Sequence, residues 1–160
     1  MLTAKRLREV LQYNSRTGLF RWRTDWTFVR KGDVAGTIRE NGYRQIRVDG
    51  SIYMASRLAV LWMTGHWPKR IVDHRDRNKS NDRWGNLREA TFSQNGANMR
   101  GRSQTGFKGV TLDRRRGRFS AYICKQGHRK CLGQFDRAQD AHAAYVDAAK
   151  RCFGQFARYQ

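Results

Sequence analysis

The sequence predicts an α+β fold, and three observations support this prediction. Apolar and polar side chains alternate between two Gly-containing turns in residues 43–48, as in a half-buried strand. Apolar residues recur at spacings of three and four in residues 57–64, as in a helix. The final third of the chain has strand-like segments first and a helical segment after them. Grouping of strands and helices in this way favours α+β over alternating α/β architecture.

The first elements follow from the N-terminal residues. Leu7, Val10 and Leu11 predict a short amphipathic helix, because they fall on one face at helical spacing. Thr17 and Gly18 then form a turn that leads into an aromatic, strand-like segment at residues 19–22.

A β-hairpin is predicted next. Asn41-Gly42 and Asp49-Gly50 are the strongest turn signals in the chain, and they bracket the alternating strand at residues 43–48. Residues 52–55 return as its partner strand.

A helix and a buried strand follow this hairpin. Residues 57–64 form the helix, which Gly65 and Pro68 end. The chain then reaches residues 71–72, which have the composition of a short buried strand.

The C-terminal third predicts a small antiparallel sheet packed on one helix. Its three short strands lie near residues 106–110, 118–123 and 130–135, with turns at 116–117 and 126–127. The helix has a stripe of mostly small residues, namely Ala138, Ala141, Tyr145, Ala148 and Cys152, and it ends at Gly154. A polar, Gly-containing stretch at residues 100–105 is the predicted linker between domains at 1–99 and 106–160.

The charge of the chain points to a polyanionic partner. The formal net charge is +20 in 160 residues, and both halves are basic. Phosphates release counterions when such a protein binds, so nucleic acid is the first candidate. A membrane is not expected, because the apolar stretch at residues 58–63 is too short to span one. No secretory signal is visible at the N-terminus, which favours an intracellular protein.

The cysteines and histidines argue against a disulfide framework and a zinc site. The chain has three cysteines, an odd number, and no two of them form a C-x-x-C pair. They are Cys124, Cys131 and Cys152. The four histidines are scattered along the chain, so they form no ligand cluster in sequence.

The run at residues 72–88 carries the strongest chemical signal. It places Asp73 beside His74 and is rich in asparagine. Histidine has an ordinary pKa of about 6.5, so neutral imidazole is available at cellular pH and His74 is a candidate general base. The Asp73 carboxylate is a candidate ligand for a hard cation that neutralises charge in phosphodiester hydrolysis. The pattern predicts a one-metal nuclease centre.

Two asparagines beyond this run complete the candidate site. Asn95 and Asn98 lie three apart in a segment that can be helical, so they share a face and can both point toward Asp73. Carboxylate and amide oxygens, with water or phosphate at the remaining positions, suit one Mg²⁺ or Mn²⁺ ion better than Zn²⁺. Adjacent strand residues face opposite ways, so Asp73 and His74 can converge only at a strand end or a bulge.

These residues resemble the HNH endonuclease family, specifically the Asp-His variant of phage homing endonucleases. The matching positions are Asp73, His74, Asn78, Asn81, Asn86, Leu87, Arg88, Thr91 and Asn95. Further upstream, the matches include Tyr13, Gly18, Trp22, Gly36, Tyr43, Gly50, Tyr53 and Arg57, so the resemblance covers residues 10 to 99.

The resemblance implies a ββα-metal core at about residues 69–99, made of strand, loop, strand and helix. It implies one divalent cation between Asp73 and Asn95, with His74 as the base. It also implies that Asn86, the middle asparagine of the motif, fixes the loop that presents the base.

Two positions near the end of the motif refine this expectation. Asn98 is a candidate to support the metal ligands from behind. Met99 stands where histidine-rich relatives have an additional ligand, so this chain would hold the cation through fewer protein groups.

The C-terminal segment resembles the DNA-binding domain of the APETALA/ethylene-response-factor family. The matches include Gly109, Val110, Phe119, Ala121, Ile123, Leu132, Gly133, Phe135, Ala138, Ala141, Tyr145, Ala148 and Ala149. In that family the sheet enters the major groove and reads bases, while other cations hold phosphates. Cys124 and Cys131 replace a usual Arg and Trp, so the target sequence does not carry over.

Basic side chains in both parts are the candidate DNA contacts. They are Arg44, Arg47 and Arg57 upstream, and Lys108, Arg114, Arg115, Arg116, Arg118, Lys125, Arg129 and Lys130 in the C-terminal segment. Any single one can equally belong to a solvated charged face. As a cluster in a +20 chain they favour DNA contact.

The leading hypothesis is a divalent-metal-dependent DNA endonuclease that nicks one strand, with double-stranded DNA as partner. We expect a monomer without an organic cofactor, located by its family resemblance in the cytoplasm of a phage-infected bacterium. The alternative is a sequence-specific DNA-binding regulator with a vestigial nuclease scaffold. An RNA-binding protein is a third possibility, which rests on charge alone.

Overall fold

The structure, a computed structural model, describes residues 1–101 and 103–159. It confirms a mixed α+β fold, and the chain divides into two compact units, Met1–Glu89 and Ala90–Gln160. Arg102 in the predicted linker and Gln160 in the predicted C-terminal domain lie outside the described residues. No helix in the described part of the chain is long and apolar enough to cross a membrane.

Unit 1 begins with a helix and contains several short strands around a second helix. Its elements are α1 (Ala4–Val10), β1 (Leu11–Asn14), β2 (Leu19–Trp22), β3 (Thr37–Ile38), β4 (Arg44–Val48), β5 (Ser51–Met54), α2 (Ala55–Thr64), β6 (Ile71–His74) and β7 (Leu87–Ala90). They form the pairs β1-β2 and β6-β7 and the sheet β3-β4-β5. The last residue of β7, Ala90, already belongs to unit 2.

The N-terminal helix confirms the sequence prediction. Its N-cap is Thr3, whose hydroxyl accepts a hydrogen bond from the Arg6 amide at 3.1 Å. The helix ends at Val10, and Leu11 starts β1, which was not predicted because the apolar pattern of the helix runs on through Leu11. Within the β1-β2 hairpin, Tyr13 lies opposite Phe20 and their rings stack at 4.7 Å.

The predicted hairpin at Asp49-Gly50 is present. Both residues have positive φ, 46° and 79°, and they connect the directly paired Val48 and Ser51. A two-residue turn with positive φ at both positions matches the twist of the strands it joins, which explains the strength of this sequence signal.

Helix α2 also follows the prediction, including its end. Gly65 is left-handed with φ 81°, and its amide donates to the Leu61 carbonyl at 3.0 Å. The core of unit 1 includes the fully buried Phe20, Leu11 and Leu58. Burial of each such side chain contributes about 1.5–3 kcal/mol, and this core supports the strand that follows α2.

Unit 2 contains a short helix, a three-stranded antiparallel sheet and a long helix. The elements are α3 (Phe92–Asn98), β8 (Val110–Asp113), β9 (Arg118–Lys125), β10 (His128–Phe135) and α4 (Ala138–Phe153). The sheet order is β10-β9-β8. The second and third predicted strands and the helix are present, but the prediction of a first strand near residues 106–110 is wrong: β8 begins only at Val110, because left-handed Gly106 and Gly109 place residues 106–109 in a turn.

Small residues on α4 let the helix pack closely against the sheet. Ala141, Ala148 and Tyr145 are buried as the predicted stripe requires. Gly109, with φ +77°, is so close to this helix that an added Cβ would lie 2.1 Å from Tyr145 Cδ2. The helix ends before Gly154, as expected from the sequence.

The compact units do not coincide with the predicted domains, because α3 belongs to unit 2. Ala97 is buried in the same apolar cluster as Ile123 and Tyr145. The hydroxyl of Ser93 accepts a hydrogen bond from the Gln126 amide at 2.8 Å. These contacts come from tertiary packing and leave no mark on the local sequence pattern.

Candidate active site

Strand β6 ends at the residue pair that the sequence analysis singled out. Asp73 and His74 are consecutive, yet both are buried, at 5% and 4% exposure. The strand stops at His74, and a turn closes there with a hydrogen bond from the Arg77 amide to the His74 carbonyl at 3.0 Å. The pair therefore lies at a strand end, which is one of the two geometries that let adjacent residues face the same region.

The imidazole of His74 is held by a carboxylate from the loop that follows it. His74 Nε2 lies 2.9 Å from Asp82 Oδ1, and Asp82 is 2% exposed. An aromatic ring, Tyr43, lies beside the imidazole at a centroid distance of 5.9 Å. Lys79 places its ammonium 5.0 Å from the Tyr43 ring centroid and donates to the Asn41 carbonyl at 3.0 Å. The imidazole thus has Asp82 as its partner, and the basic side chain of Lys79 contacts the Tyr43 ring beside it.

Asp73 is held by a guanidinium from the opposite strand. Arg88 Nε, in β7, donates to Asp73 Oδ2 at 2.8 Å, and both side chains are 6% exposed. A buried carboxylate requires a nearby cation or several hydrogen bonds to remain ionised. Arg88 provides this compensation in the described structure.

The motif asparagine Asn86 closes the loop between β6 and β7. Its side-chain oxygen accepts from the Asp76 amide at 3.1 Å, and its side-chain nitrogen donates to the Asn81 carbonyl at 2.8 Å. The Asn86 backbone carbonyl also accepts from the Arg75 amide at 2.9 Å. These bonds join both ends of the loop beside His74, so Asn86 fixes the backbone that follows the imidazole.

Asp76 stabilises the same loop as an ionised acceptor. Burial opposes its ionisation, but hydrogen bonds from the Asn81 side chain, the Asn78 amide and the Asn86 side chain outweigh burial and lower the pKa of Asp76. Asn78 stabilises a turn within this loop, since its Oδ1 accepts from the Ser80 amide at 3.1 Å.

The two helix asparagines occupy different environments in unit 2. Asn95 is half-buried on α3. Its backbone amide donates to the backbone carbonyl of Thr91, the N-cap, at 2.9 Å. Asn98 is buried, at 2% exposure, and its Oδ1 accepts from Arg158 Nε at 3.1 Å. A capping box between Thr91 and Gln94 fixes where α3 begins.

The donor chemistry of the predicted ligands fits a hard divalent cation. Asp73 offers carboxylate oxygens and Asn95 an amide oxygen, which are the ligand types of Mg²⁺ and Mn²⁺. Within residues 1–101 and 103–159, no three His, Cys, Asp or Glu side chains form a group that could hold a metal ion.

Seven of the candidate DNA contacts are exposed cations. They are Arg47 in unit 1, and Arg114, Arg115, Arg116, Lys125, Arg129 and Lys130 in unit 2. The Arg129 guanidinium stacks 3.7 Å from the Tyr122 ring centroid, which orients it on the sheet. Arg115 and Arg116 lie in the β8-β9 turn, where their amides donate to Asp113 Oδ1.

Four other candidates are engaged within their own unit. Lys108 donates to the carbonyls of Ala97 and Met99 at the end of α3, and Arg118 pairs with Asp136 at 2.9 Å. The remaining two also meet backbone carbonyls, with Arg44 bound to Gly36 and Arg57 to Pro68. These interactions give each of the four side chains a structural task.

Sequence reasoning assigned no role to Asp82 and Tyr43, although both touch His74. Asp82 lies inside the motif run, so a carboxylate eight residues after the candidate base was the available signal. Tyr43 immediately precedes β4 and reaches His74 only through the fold, so no local pattern marks it.

Comparison with known proteins identifies the class to which this region is similar. Residues 53–97 match the family model described as HNH endonuclease. The match includes Asp73, His74, Asn86 and Asn95, and it confirms the predicted resemblance over that range.

A solved structure is also similar. It describes DNA binding and cleavage by the HNH homing endonuclease I-HmuI, and it shares 21% identity over 89% of this chain and 84% of that chain, with a TM-score of 0.43. A TM-score of this size does not establish a shared fold. No curated protein matches the chain.

Proposed function

We propose that the chain is a divalent-metal-dependent DNA endonuclease that hydrolyses one phosphodiester bond and so nicks one strand. The observation that supports this most is the position of His74. It ends β6 next to Asp73, its ring is held by Asp82 at 2.9 Å, and it lies inside the residues that match the HNH endonuclease model. HNH nucleases generally depend on a divalent metal.

His74 is the proposed general base. It takes a proton from the attacking water while the water oxygen forms a bond to phosphorus and the bond from phosphorus to one bridging oxygen breaks. The leaving oxygen then takes a proton from solvent. General-base catalysis of this kind contributes about 10²–10⁴-fold to the rate.

Asp73 and Asn95 are the proposed ligands of one Mg²⁺ or Mn²⁺ ion. When bound, such an ion neutralises charge on the transferred phosphoryl group and on the leaving oxygen. Asn86 is proposed to act through the loop backbone that it closes beside His74. Asn98 is proposed to support α3 behind Asn95, in line with its buried bond to Arg158.

Double-stranded DNA is the proposed partner, and the exposed cations of both units are the proposed contacts. The sheet of unit 2 and its Arg-rich turn are proposed to choose the site, as the sequence resemblance to the APETALA/ethylene-response-factor domain implies. We also propose that the protein is a monomer, that it uses no organic cofactor and that it acts in the cytoplasm of a phage-infected bacterium.

A DNA-binding regulator without nuclease activity is the second candidate, and a specific observation favours it. Asp73 is paired with Arg88, and both Asp73 and His74 are nearly fully buried. Buried ion pairs of this kind also occur as purely structural features, in which case the loop would be a scaffold and the basic surfaces would be the functional part.

Plasmid cleavage separates the two candidates. Supercoiled DNA is incubated with the protein and Mg²⁺, Mn²⁺ or EDTA, and binding is followed in parallel by gel shift. The endonuclease converts supercoiled to open-circle DNA only with metal, and His74→Ala and Asp73→Ala strongly slow conversion while the gel shift remains. His66→Ala, at an exposed histidine, is the matched control and keeps full activity. Intact DNA with a clear gel shift contradicts the nuclease and supports the regulator.

A further inference from the structure

Asp82 is the group that holds the candidate base. Its Oδ1 lies 2.9 Å from His74 Nε2, and the two side chains are 2% and 4% exposed. An ionised carboxylate can only accept hydrogen bonds, so an ionised Asp82 requires the proton of this contact to lie on Nε2. Neutral imidazole carries one ring proton, so the basic nitrogen of His74 is then Nδ1.

The second oxygen of Asp82 indicates that this carboxylate is more than a packing element. Oδ2 is buried and has no hydrogen-bond partner in the described part of the chain. Structural carboxylates at this depth normally have their oxygens satisfied, because an unmet buried acceptor costs about 1–3 kcal/mol. The fold accepts this cost at a carboxylate that contacts the imidazole of His74.

The β1-β2 hairpin holds the Asp82 backbone in place. The Tyr13 hydroxyl donates to the Asp82 carbonyl at 2.6 Å, and the Trp84 amide donates to the Ser15 carbonyl at 3.0 Å. Gly18 is in such close contact that an added Cβ would lie 2.4 Å from the Arg83 nitrogen. Burial, together with the charge of Asp82, raises the pKa of Tyr13, so its hydroxyl remains a donor at any physiological pH.

We infer that Asp82 is a positioning residue for cleavage. It fixes the orientation of the His74 ring and its tautomer with the proton on Nε2, so that Nδ1 receives the proton of the attacking water. The β1-β2 hairpin sets the position of Asp82 in turn. This inference rests on the proposed function for its catalytic consequence, whereas the tautomer is a property of the protein alone.

Nitrogen NMR of the uniformly ¹⁵N-labelled protein tests the tautomer directly. Long-range ¹H–¹⁵N spectra at a pH where the ring is neutral distinguish protonated from unprotonated ring nitrogens, and the spectrum of His74→Gln assigns the signal. The expected result is a protonated Nε2 and an unprotonated Nδ1 in the wild-type chain. A wild-type ring with its proton on Nδ1 overturns the inference, whatever the cleavage assays show.

Asp82→Asn tests the consequence for cleavage with almost no change in shape. Asparagine can donate as well as accept, so it no longer selects one tautomer. We expect kcat to fall at least about tenfold, since loss of the carboxylate partner of a catalytic imidazole costs up to about 10⁴-fold in serine proteases. The dissociation constant for DNA stays unchanged, and the NMR signal shifts toward a mixed tautomer. Asp49→Asn, the same change at an exposed carboxylate, leaves kcat and tautomer unchanged.

Tyr13→Phe is the second variant, and it leaves both side chains of the Asp82–His74 contact intact. It removes the hydroxyl that holds the Asp82 carbonyl, so we expect a smaller fall in kcat with the same direction of tautomer shift. Wild-type kcat in Asp82→Asn, or a fall without any change of tautomer, contradicts the inference while leaving the nuclease proposal standing. Absence of cleavage by the wild-type chain contradicts the nuclease proposal, and the NMR result still decides the tautomer.

Discussion

Arg88 and Asp73 form an ion pair whose energy depends on burial. The pair spans 2.8 Å with both side chains 6% exposed, whereas Arg6 and Asp49 form a pair at 3.0 Å with side chains 41% and 44% exposed. Water screens the exposed pair, so it contributes little to stability. Loss of the buried Arg88 guanidinium takes a cation away from the Asp73 carboxylate. Water cannot replace that cation, because the carboxylate is buried.

We therefore predict that Arg88→Ala lowers the free energy of unfolding by about 3–5 kcal/mol. Arg6→Ala, the control, lowers it much less, because water screens that exposed pair. Urea denaturation followed by tryptophan fluorescence measures both values. Equal effects of the two variants would contradict the assignment of a buried pair at β6.

The hydrogen bonds to Asp76 make the loop stability dependent on pH. Its pKa is lower in the folded protein than its usual value of about 3.9, so the stabilisation is present above that value and is lost as pH falls through the folded pKa. The side chain is exposed, so the effect is no more than about 1 kcal/mol.

Asp76→Asn tests this dependence. We predict that the wild-type chain is more stable than the variant near neutral pH, and that the difference shrinks in the acid range below about pH 3.9. Denaturation of both proteins over a pH series gives the difference directly, and all other acid-sensitive groups cancel. A stability difference that grows toward low pH would show that the pKa of Asp76 is raised in the folded protein, which would contradict the prediction.

At the residue scale, sequence predicted the groups that are local and missed those that are brought in by folding. Asp73, His74 and Asn86 belong to one short run whose spacing is itself the signal. The contacts of His74 with Asp82 and Tyr43 depend on how the loop and the segment just before β4 pack. Such contacts have no period in sequence and therefore could not be predicted from it.

At the element scale, the β1-β2 hairpin supports the motif loop through a glycine. Gly18 has φ +77° and meets the backbone of Asp82 and Arg83, whereas Gly50 has φ +79° and nothing within 4 Å of an added Cβ. The two positions share the left-handed backbone and differ in the space beside it. Alanine substitutions at the two positions therefore distinguish the effect of backbone strain from the effect of a clash with the loop.

We predict that Gly18→Ala is destabilising by about 1–3 kcal/mol more than Gly50→Ala, because only the first adds a collision to the strain. Thermal unfolding measures the two effects. Plasmid cleavage by Gly18→Ala is expected to fall as well, since the collision displaces the segment that carries Asp82. Equal stability and equal cleavage of both variants would show that the hairpin does not support the loop.

The elements themselves were predictable where a turn or a cap is encoded locally. Asp49-Gly50, Gly65 and the stripe on α4 each carry a backbone or packing requirement that only certain residues meet. Strand β3 has two residues, which is too short for any period. The grouping of α3 with unit 2 arises from the burial of Ala97 and was not visible in the helix sequence.

At the scale of the whole molecule, we expect the net charge of +20 to govern the proposed binding to DNA. Each phosphate contact releases counterions, so log affinity falls with log salt with a slope of about −0.9 per contact. For about six to ten contacts, affinity falls by about 10³–10⁵ between 50 and 200 mM salt.

Single substitutions Arg114→Gln, Arg115→Gln and Arg116→Gln test the turn of unit 2. We predict that each one that contacts a phosphate reduces the magnitude of the salt slope by about 0.9, as measured by fluorescence anisotropy over a salt series. Arg137→Gln, at an exposed arginine paired with Asp140, is the control and leaves the slope unchanged. An unchanged slope in all three variants would remove this turn from the DNA interface.

Cleavage by His74→Ala at full DNA occupancy tests the central claim most directly. Single-turnover cleavage of a supercoiled plasmid is measured with Mg²⁺ and enough protein to bind all the DNA, so affinity does not enter the rate. The nuclease proposal predicts that the wild-type chain nicks the plasmid and that His74→Ala is slower by about 10²–10⁴-fold. A variant that nicks at the wild-type rate, or a wild-type chain that binds the plasmid and leaves it intact, would contradict it.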